Sequence, residues 1–520
     1  MRYIINKISI FLLLSSLFFA CQQEIEDYFY KETEATVDSD IMSLLKQNED
    51  YSQFVAILEQ YQIDTLLSQG KIYTFFVPNN SAMDKIEQGI LGDKELVEYL
   101  ITESYVNLNQ IVGEKLIQTK GGKFGIVESS GKSGYTFDGI AIVKGSPLAN
   151  NGRYYEIAEV VQPKPNLYEY IAATNPFYRA FLDSQDSTFL DKTLSTPIGY
   201  TDAGLTIYDT VMTKINLFED SYFPVSMEFR DYKATMLLFS QEQYDRALGV
   251  VSDEIGIPVK SIPAIWQNEV LMPYLIEQSV FRNTLPYAAF SIGRAKNILG
   301  DSVYVTPQNI AAEYYECSNG RAYNYIDFQV PEHLYKVQDT VAMASLLFDK
   351  GSGLWGWNDD VVLTGAKFNP VRVANSNSIF GNVLLIDMGK SFNGSFSYAY
   401  KHKSIFPAKY KLTVRANVSK TGVYNIYVNG KQYPVDINDG KGPRSDFDFF
   451  DLRAGVISSV TNKFTPFINN FCSFDILVDN ITEYGDVEVK LDYVKPSPRN
   501  INNCGINIDY ISLEYFNDKN

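Results

Sequence analysis

The chain has 520 residues, 45% hydrophobic and 14% aromatic, which is enough to bury several cores and sets an expectation of about three domains. A net charge of -17 and a pI near 4.7 repel phosphate backbones, and no Lys/Arg stripe counters them, so nucleic acid is excluded as a partner. The 37 Tyr and 33 Phe favour β-rich architecture with aromatic contact surfaces.

At the N-terminus, Arg2 and Lys7 precede an apolar run over residues 8–20, with the sequence Leu17-Phe18-Phe19-Ala20-Cys21 at its end. That run is shorter than the roughly 20 residues a membrane span needs, and it suits the core of a signal peptide. A small residue followed directly by cysteine resembles the lipobox of bacterial lipoproteins, although Phe18 and Phe19 depart from the usual small or branched residues there. The resemblance implies a signal peptide over 1–20, a diacylglycerol on Cys21, and a lipid anchor in the outer membrane with the protein facing the cell exterior. Residues 21–42 are polar and acidic without periodicity, and they read as a spacer. No later apolar run is long enough to cross a membrane, so everything past Cys21 is expected on one side of it.

Two segments repeat further along. Tyr73-Thr74-Phe75-Phe76-Val77-Pro78-Asn79-Asn80-Ser81-Ala82-Met83 is a short apolar strand, a Pro/Asn turn and a helix start, and Asn151-Gly152-Arg153-Tyr154-Tyr155-Glu156-Ile157 is a turn feeding a strand. The same order recurs as Thr235-Met236-Leu237-Leu238-Phe239-Ser240-Gln241 with a helix over 242–248, then Asn319-Gly320-Arg321-Ala322-Tyr323-Asn324-Tyr325-Ile326. Similar helical phrases enter the two copies, over residues 51–58 and 166–172. In the first copy the Pro-Asn turn is expected to cap the helix, and in both copies Asn-Gly to supply the positive φ of a tight hairpin.

These residues resemble the fasciclin-like domain, whose signatures are a T-x-F-x-P-x-N-x-A-F strand-turn-helix and a later N-G-x-x-x-x-I-D strand. The first copy, 43–165, matches at Thr74, Phe76, Pro78, Asn79 and Ala82. The second, 166–338, has Phe239 where the proline belongs and keeps Asn319-Gly320 and Ile326-Asp327. The family's histidine between the signatures has no counterpart, since the chain holds only His333 and His402. The resemblance implies two α+β domains that serve adhesion or ligand display rather than catalysis.

From residue 342 to 520 alternating strands take over, at 383–388, 395–401, 410–418, 422–428, 486–494 and 506–515, separated by turns such as Asn429-Gly430 and Asn438-Asp439-Gly440. This is the pattern of an all-β antiparallel sandwich. The order of its phrases over 353–516 resembles the galactose-binding-like jelly roll of carbohydrate-binding modules. The expected fold class is therefore multi-domain, two α+β fasciclin-like domains followed by an all-β jelly roll.

Most catalytic patterns are missing from the sequence, and a carboxylate pair for glycoside hydrolysis stays open because its separation is set in three dimensions. Gly351-Ser352-Gly353-Leu354-Trp355-Gly356 matches G-x-G-x-x-G by letter but lacks a βαβ context, and it reads as a loop. There is no G-x-S-x-G or H-E-x-x-H, and two distant histidines make neither a triad nor a histidine-rich metal site. No cofactor is expected, with one structural Ca²⁺ option at Asp446, Asp448 and Asp451, set against an edge strand with its acids in solvent. Cys317 reads as a small buried hydrophobe, while a Cys472–Cys504 disulfide is open either way.

Sugar is gripped by an aromatic face on its C–H side and by amides and carboxylates on its hydroxyls. Trp355 and Trp357, with Asn358, Asp359 and Asp360 beside them, form one candidate platform, against the alternative that both Trp close the core. Arg444, Phe449 and Phe450 in the 440–451 loop form a second, and Asn507 matches an asparagine near the last strand of the module family. Two functions remain. One is a non-catalytic, membrane-anchored surface lipoprotein that binds a polysaccharide or oligosaccharide, accessory to capture and uptake alongside outer-membrane uptake proteins. The other is an adhesin or assembly component that binds proteins through its fasciclin-like domains.

Overall fold

A computed structural model describes residues 35–66, 70–86, 92–129, 134–191, 193–292, 295–351, 354–365 and 370–517. The expected signal peptide, Cys21 and most of the expected spacer lie outside the described residues, and so do Ser352 and Gly353. No described helix is long and apolar enough to cross a membrane. The chain divides into two compact units, one of Met1–Ser240 with Ser279–Ile326 and one of Gln241–Gln278 with Asp327–Asn520.

The first unit is built on two sheets. One has seven strands in the order Ile101–Thr102, Tyr73–Pro78, Gly152–Ile157, Ile140–Gly145, Tyr135–Phe137, Phe124–Ser129 and Glu114–Gln118. The other has four, in the order Val280–Arg282, Ala234–Leu238, Gly320–Tyr325 and Ile310–Glu316. In each, the two signature strands lie side by side and parallel, with Tyr73 opposite Gly152 and Ala234 opposite Gly320. Both strands Tyr73–Pro78 and Ala234–Leu238 are buried on both faces, which explains why they read as unbroken apolar runs.

The repeat extends to individual hydrogen bonds. Thr74 donates to the Ser104 carbonyl and accepts from the Val106 amide, while Thr235 donates to the Asn283 carbonyl and accepts from the Leu285 amide. Tyr155 and Tyr323 close the same loops through the carbonyls of Val106 and Leu285. Asn151 accepts from the Ile41 amide at 2.9 Å and Asn319 from the Leu167 amide at 2.8 Å, each at the first residue of a helix, Ile41–Lys46 and Leu167–Thr174. Leu167–Thr174 therefore corresponds to Ile41–Lys46, and the helical phrases over 51–58 and 166–172 are not equivalent.

The expected cap is present at Asn79, which accepts from the Ala82 amide at 2.9 Å. The Asn-Gly expectation needs correction. A Cβ on Gly152 would meet the Tyr73 carbonyl oxygen at 1.9 Å, and one on Gly320 the Ala234 oxygen at 2.4 Å, while only Gly152 has a positive φ. What both copies require of this glycine is room for a neighbouring strand. The second copy also carries an addition over 185–216, two short ribbons pairing Asp186–Leu190 with Met212–Asn216 and Thr196–Tyr200 with Thr206–Asp209.

In the second unit, two antiparallel sheets share one core. The first orders Pro370–Ala374, Asn382–Ile386, Ile506–Tyr515, Tyr410–Asn417 and Phe471–Val478, with Gln338–Ala342 also on Ile506–Tyr515. The second orders Val361–Gly365, Phe396–Ile405, Gly485–Lys495, Val423–Val428 and Lys431–Tyr433, with Phe447–Asp448 also on Val423–Val428. Alternation points Leu412, Val414 and Ala416 inward against Tyr424, Ile426, Phe474 and Ile511, and leaves Thr413 and Arg415 on the outer face. The sandwich sheet begins at Gln338, earlier than the change of texture at 342. Helical residues join it, since the Trp266 indole donates to the Leu334 carbonyl at 3.0 Å and meets the Phe406 ring edge-on at 5.0 Å.

Candidate functional site

Each sandwich candidate can be placed. The strand Leu354–Trp357 pairs antiparallel with Leu347–Gly351, so the described part of the Gly-rich stretch is strand where a loop was expected. Trp357 is half-buried against the sandwich core with its ring 5.9 Å from Tyr398, so it serves packing and is not an open platform. The Trp355 side chain lies outside what the structure describes. Asn358 is exposed and accepts from the Asp360 amide, which fixes a turn. Asn507 is buried, and its Nδ2 donates to the Ser419 carbonyl while its backbone amide donates to Thr421, so it pins the 417–421 turn, and its Oδ1 is left without a hydrogen-bond partner.

The second candidate loop has a clearer geometry. The 3-10 helix Phe449–Ala454 is capped by Asp448, which accepts from the Phe450 amide at 3.0 Å. Three residues per turn put Phe449 and Leu452 on one side and Phe450 and Arg453 on the other. Phe449 is accordingly fully buried among Phe447, Phe474 and Tyr424, a correction to its place among the binding candidates. The Arg453 guanidinium lies 4.8 Å from the centre of the Phe450 ring and 5.8 Å from that of Phe467.

The helix ends at Gly455, and the chain then forms a small ribbon, Val456–Ile457 with Phe464–Thr465. Phe464 is 61% exposed, yet a Cβ on Gly455 would come within 2.5 Å of its ring. Gly455 also sits at φ +81°, where other residues are strained. The glycine thus lets the ring rest on backbone, while Ile457 and Ile468 are exposed nearby in sequence. Phe464 is the aromatic residue that the pattern of the sequence missed. Its signal was a lone ring in the polar stretch Thr461-Asn462-Lys463 that precedes it.

Polar groups accompany the rings. Arg444 pairs with Asp439 at 2.5 Å and reaches Asp451 at 3.8 Å, and Arg499 reaches the other oxygen of Asp451 at 3.9 Å. The buried Nη1 of Arg444 has no hydrogen-bond partner. What burial there is at Asp439 opposes ionisation, but the Arg444 guanidinium and the Lys441 amide outweigh it and hold the carboxyl below its usual range. Burial, with the Asp451 charge adding to it, raises Asp448 instead.

The calcium option does not survive this arrangement. Asp446 is paired with Lys495 at 3.3 Å, Asp448 is held by the Phe450 amide and Ser497, and Asp451 lies between two guanidiniums. Among the described residues no group of three or more His, Cys, Asp or Glu could hold a metal. The disulfide is also excluded, because Cys472 and Cys504 are free, buried thiols. Cys472 sits on Phe471–Val478 opposite Ala416, whereas the Cys504 thiol turns to the Ile501 carbonyl at 2.9 Å. Cys317 is buried as expected, and burial pushes its thiol up to about 12.

The Fasciclin domain family matches residues 49–163, and that part of the chain is a fasciclin domain. No curated protein matches the chain. Among solved structures, a FAS1 domain pair from the insect cell adhesion molecule fasciclin I is 10% identical, with 55% of this chain and 99% of that chain covered at a TM-score of 0.22. CBM35 from Paenibacillus barcinonensis is 12% identical over 30% of this chain and 94% of its own, at 0.18. A family 35 carbohydrate binding module from Clostridium thermocellum is 13% identical over 30% and 94%, at 0.17.

Proposed function

We propose that this protein is a non-catalytic, lipid-anchored binding protein of the cell surface. Its sandwich is a jelly roll that holds a glycan at Phe464, Phe450, Arg453 and Arg444, and two fasciclin-like domains carry it. The observation that supports the glycan reading best is Phe464, a largely exposed ring seated on Gly455, whose positive φ favours glycine and whose missing Cβ leaves the ring its place. An aromatic face of that kind stacks on the C–H face of a sugar, while the guanidiniums of Arg444 and Arg453 and the Asp451 carboxylate are suited to its hydroxyls. The matched hydrogen bonds of Thr74 with Thr235 and Asn151 with Asn319 support a second fasciclin-like domain after the first. The anchor rests on the Ala20-Cys21 junction behind its apolar run.

A glycan array probed with the full chain tests this reading: selective retention of one polysaccharide class is expected, and a blank array would contradict it. One feature favours an adhesin instead. The tip of the 185–216 addition exposes Ile198, Tyr200 and Leu205, which is an unusual density of bare apolar side chains on a two-stranded ribbon. A blank array together with capture of a defined protein through that ribbon would move the function to protein adhesion.

A further inference from the structure

The first unit contains a cavity of about 570 Å³ that the sandwich does not share. Tyr99, Leu116, Phe124, Ile126 and Ile140 of the first copy supply much of its apolar wall, and Phe229 and Cys317 of the second face them. Such a volume with a mixed wall is of the size that holds a small ligand. Its charges are distributed unevenly. Lys123 is buried and already answered by Glu169 at 2.7 Å and Glu228 at 2.9 Å, and Glu316 is answered by Arg321 at 2.8 Å.

Three other cations, Lys164, Arg230 and Lys233, line the cavity and form no ion pair among the described residues. The remaining acids are Glu128 and Asp138. Asp138 is taken up by the wall, where its carboxylate accepts from the Tyr99 hydroxyl at 2.5 Å and the Ile126 amide at 2.8 Å. Lys164 acts on Asp138 only through space. In a chain with 62 acids and 45 bases, carboxylates are abundant, so three cations left without them around one cavity are a selective feature.

We propose that this cavity binds a small organic carboxylate of about the size of a uronic acid, with Arg230 and Lys233 taking the carboxylate and the Phe229 ring lying against its apolar side. A guanidinium matches a carboxylate with two parallel hydrogen bonds, and an ammonium beside it adds charge without fixing geometry. The site shares no residue with the sandwich loop and does not rest on the glycan reading of that loop.

Calorimetric titration of the full chain with sodium glucuronate, glucose and sodium sulfate tests the proposal. Glucuronate binds, glucose does not, and the affinity falls as salt rises through the screening range. Arg230→Ala with Lys233→Ala weakens glucuronate at least about tenfold, the loss expected of one charge-assisted hydrogen bond, with the melting temperature unchanged because both side chains lack ion pairs. Lys164→Ala, on a separate segment, weakens it in the same direction. No binding of glucuronate, equal binding of glucose, tighter binding of sulfate, or a double variant with wild-type affinity would each overturn the assignment.

Discussion

Glu156 illustrates how a signature strand stabilises its domain through one side chain. It is nearly buried, and burial alone would raise its pKa, yet it accepts from the Tyr51 hydroxyl at 2.6 Å and from Asn79 at 3.1 Å, and it pairs with Lys144 at 2.9 Å. Those bonds outweigh burial, so the carboxyl is held below its ordinary 4.5. A carboxyl depressed in the folded state adds stability that is complete above the unfolded pKa and is lost as pH falls through the folded one. Glu156→Gln should therefore melt below the wild type at neutral pH, with the gap closing once pH drops under about 4.5. Melts of both proteins across that range check this, and a constant gap would refute it. At Trp357 the sequence allowed both a platform and a packing role, and only the structure separates them. Trp357→Ala should cost about 2 kcal/mol, less than a fully buried aromatic because the ring is half-exposed, and leave glycan binding intact. Urea unfolding and the glycan assay measure the two effects separately.

At the scale of elements, the repeat was legible because it is written in residues with few substitutes. Asn79 caps a helix, and Gly152 and Gly320 stand where a Cβ would strike the adjoining strand. The partner of each Asn-Gly asparagine was not legible, since Ile41 and Leu167 lie more than a hundred residues away and neither carries a recognisable side-chain signal. That long bond makes a comparative prediction. Asn319 is fully buried, caps Leu167 and donates to the carbonyls of Val225 and Met227, so Asn319→Ala strands several polar groups. It should cost about 3 kcal/mol, whereas Asn151→Ala at its partly exposed counterpart should cost about 1. Equal losses in chemical unfolding would deny the asymmetry. The 185–216 ribbons escaped the sequence because both of their faces meet solvent, which removes the apolar alternation by which a strand is read. The sandwich strands were legible for the opposite reason: one face of each is dry, as at Leu412, Val414 and Ala416.

At the scale of the molecule, aromatic abundance anticipated a β-rich chain, and the two six-stranded sheets with their Tyr- and Phe-lined core bear that out. The grouping of residues was less accessible. Gln241–Gln278 follows a strand of the first unit in sequence but belongs to the compact unit of the sandwich, where Trp266 meets Phe406 and Lys336 pairs with Glu254 at 2.6 Å. Nothing in a linear pattern marks that exchange, because the helix is amphipathic whichever surface covers it. The candidate loop was half legible: Arg444 and Phe450 stand in it, Phe449 went to the core by the 3-10 period, and Phe464 came from a short strand outside the segment.

The measurement that bears most directly on the glycan function is a paired titration and melt of the full chain and its Phe464→Ala variant, using the polysaccharide retained on the array. Loss of a stacked, exposed ring should weaken binding at least about tenfold, in line with the energy of an aromatic contact, and leave the melting temperature where it was, since most of that ring is in solvent. Unchanged affinity in the variant, or a fall in binding that merely follows a fall in stability, would contradict a glycan site at Phe464.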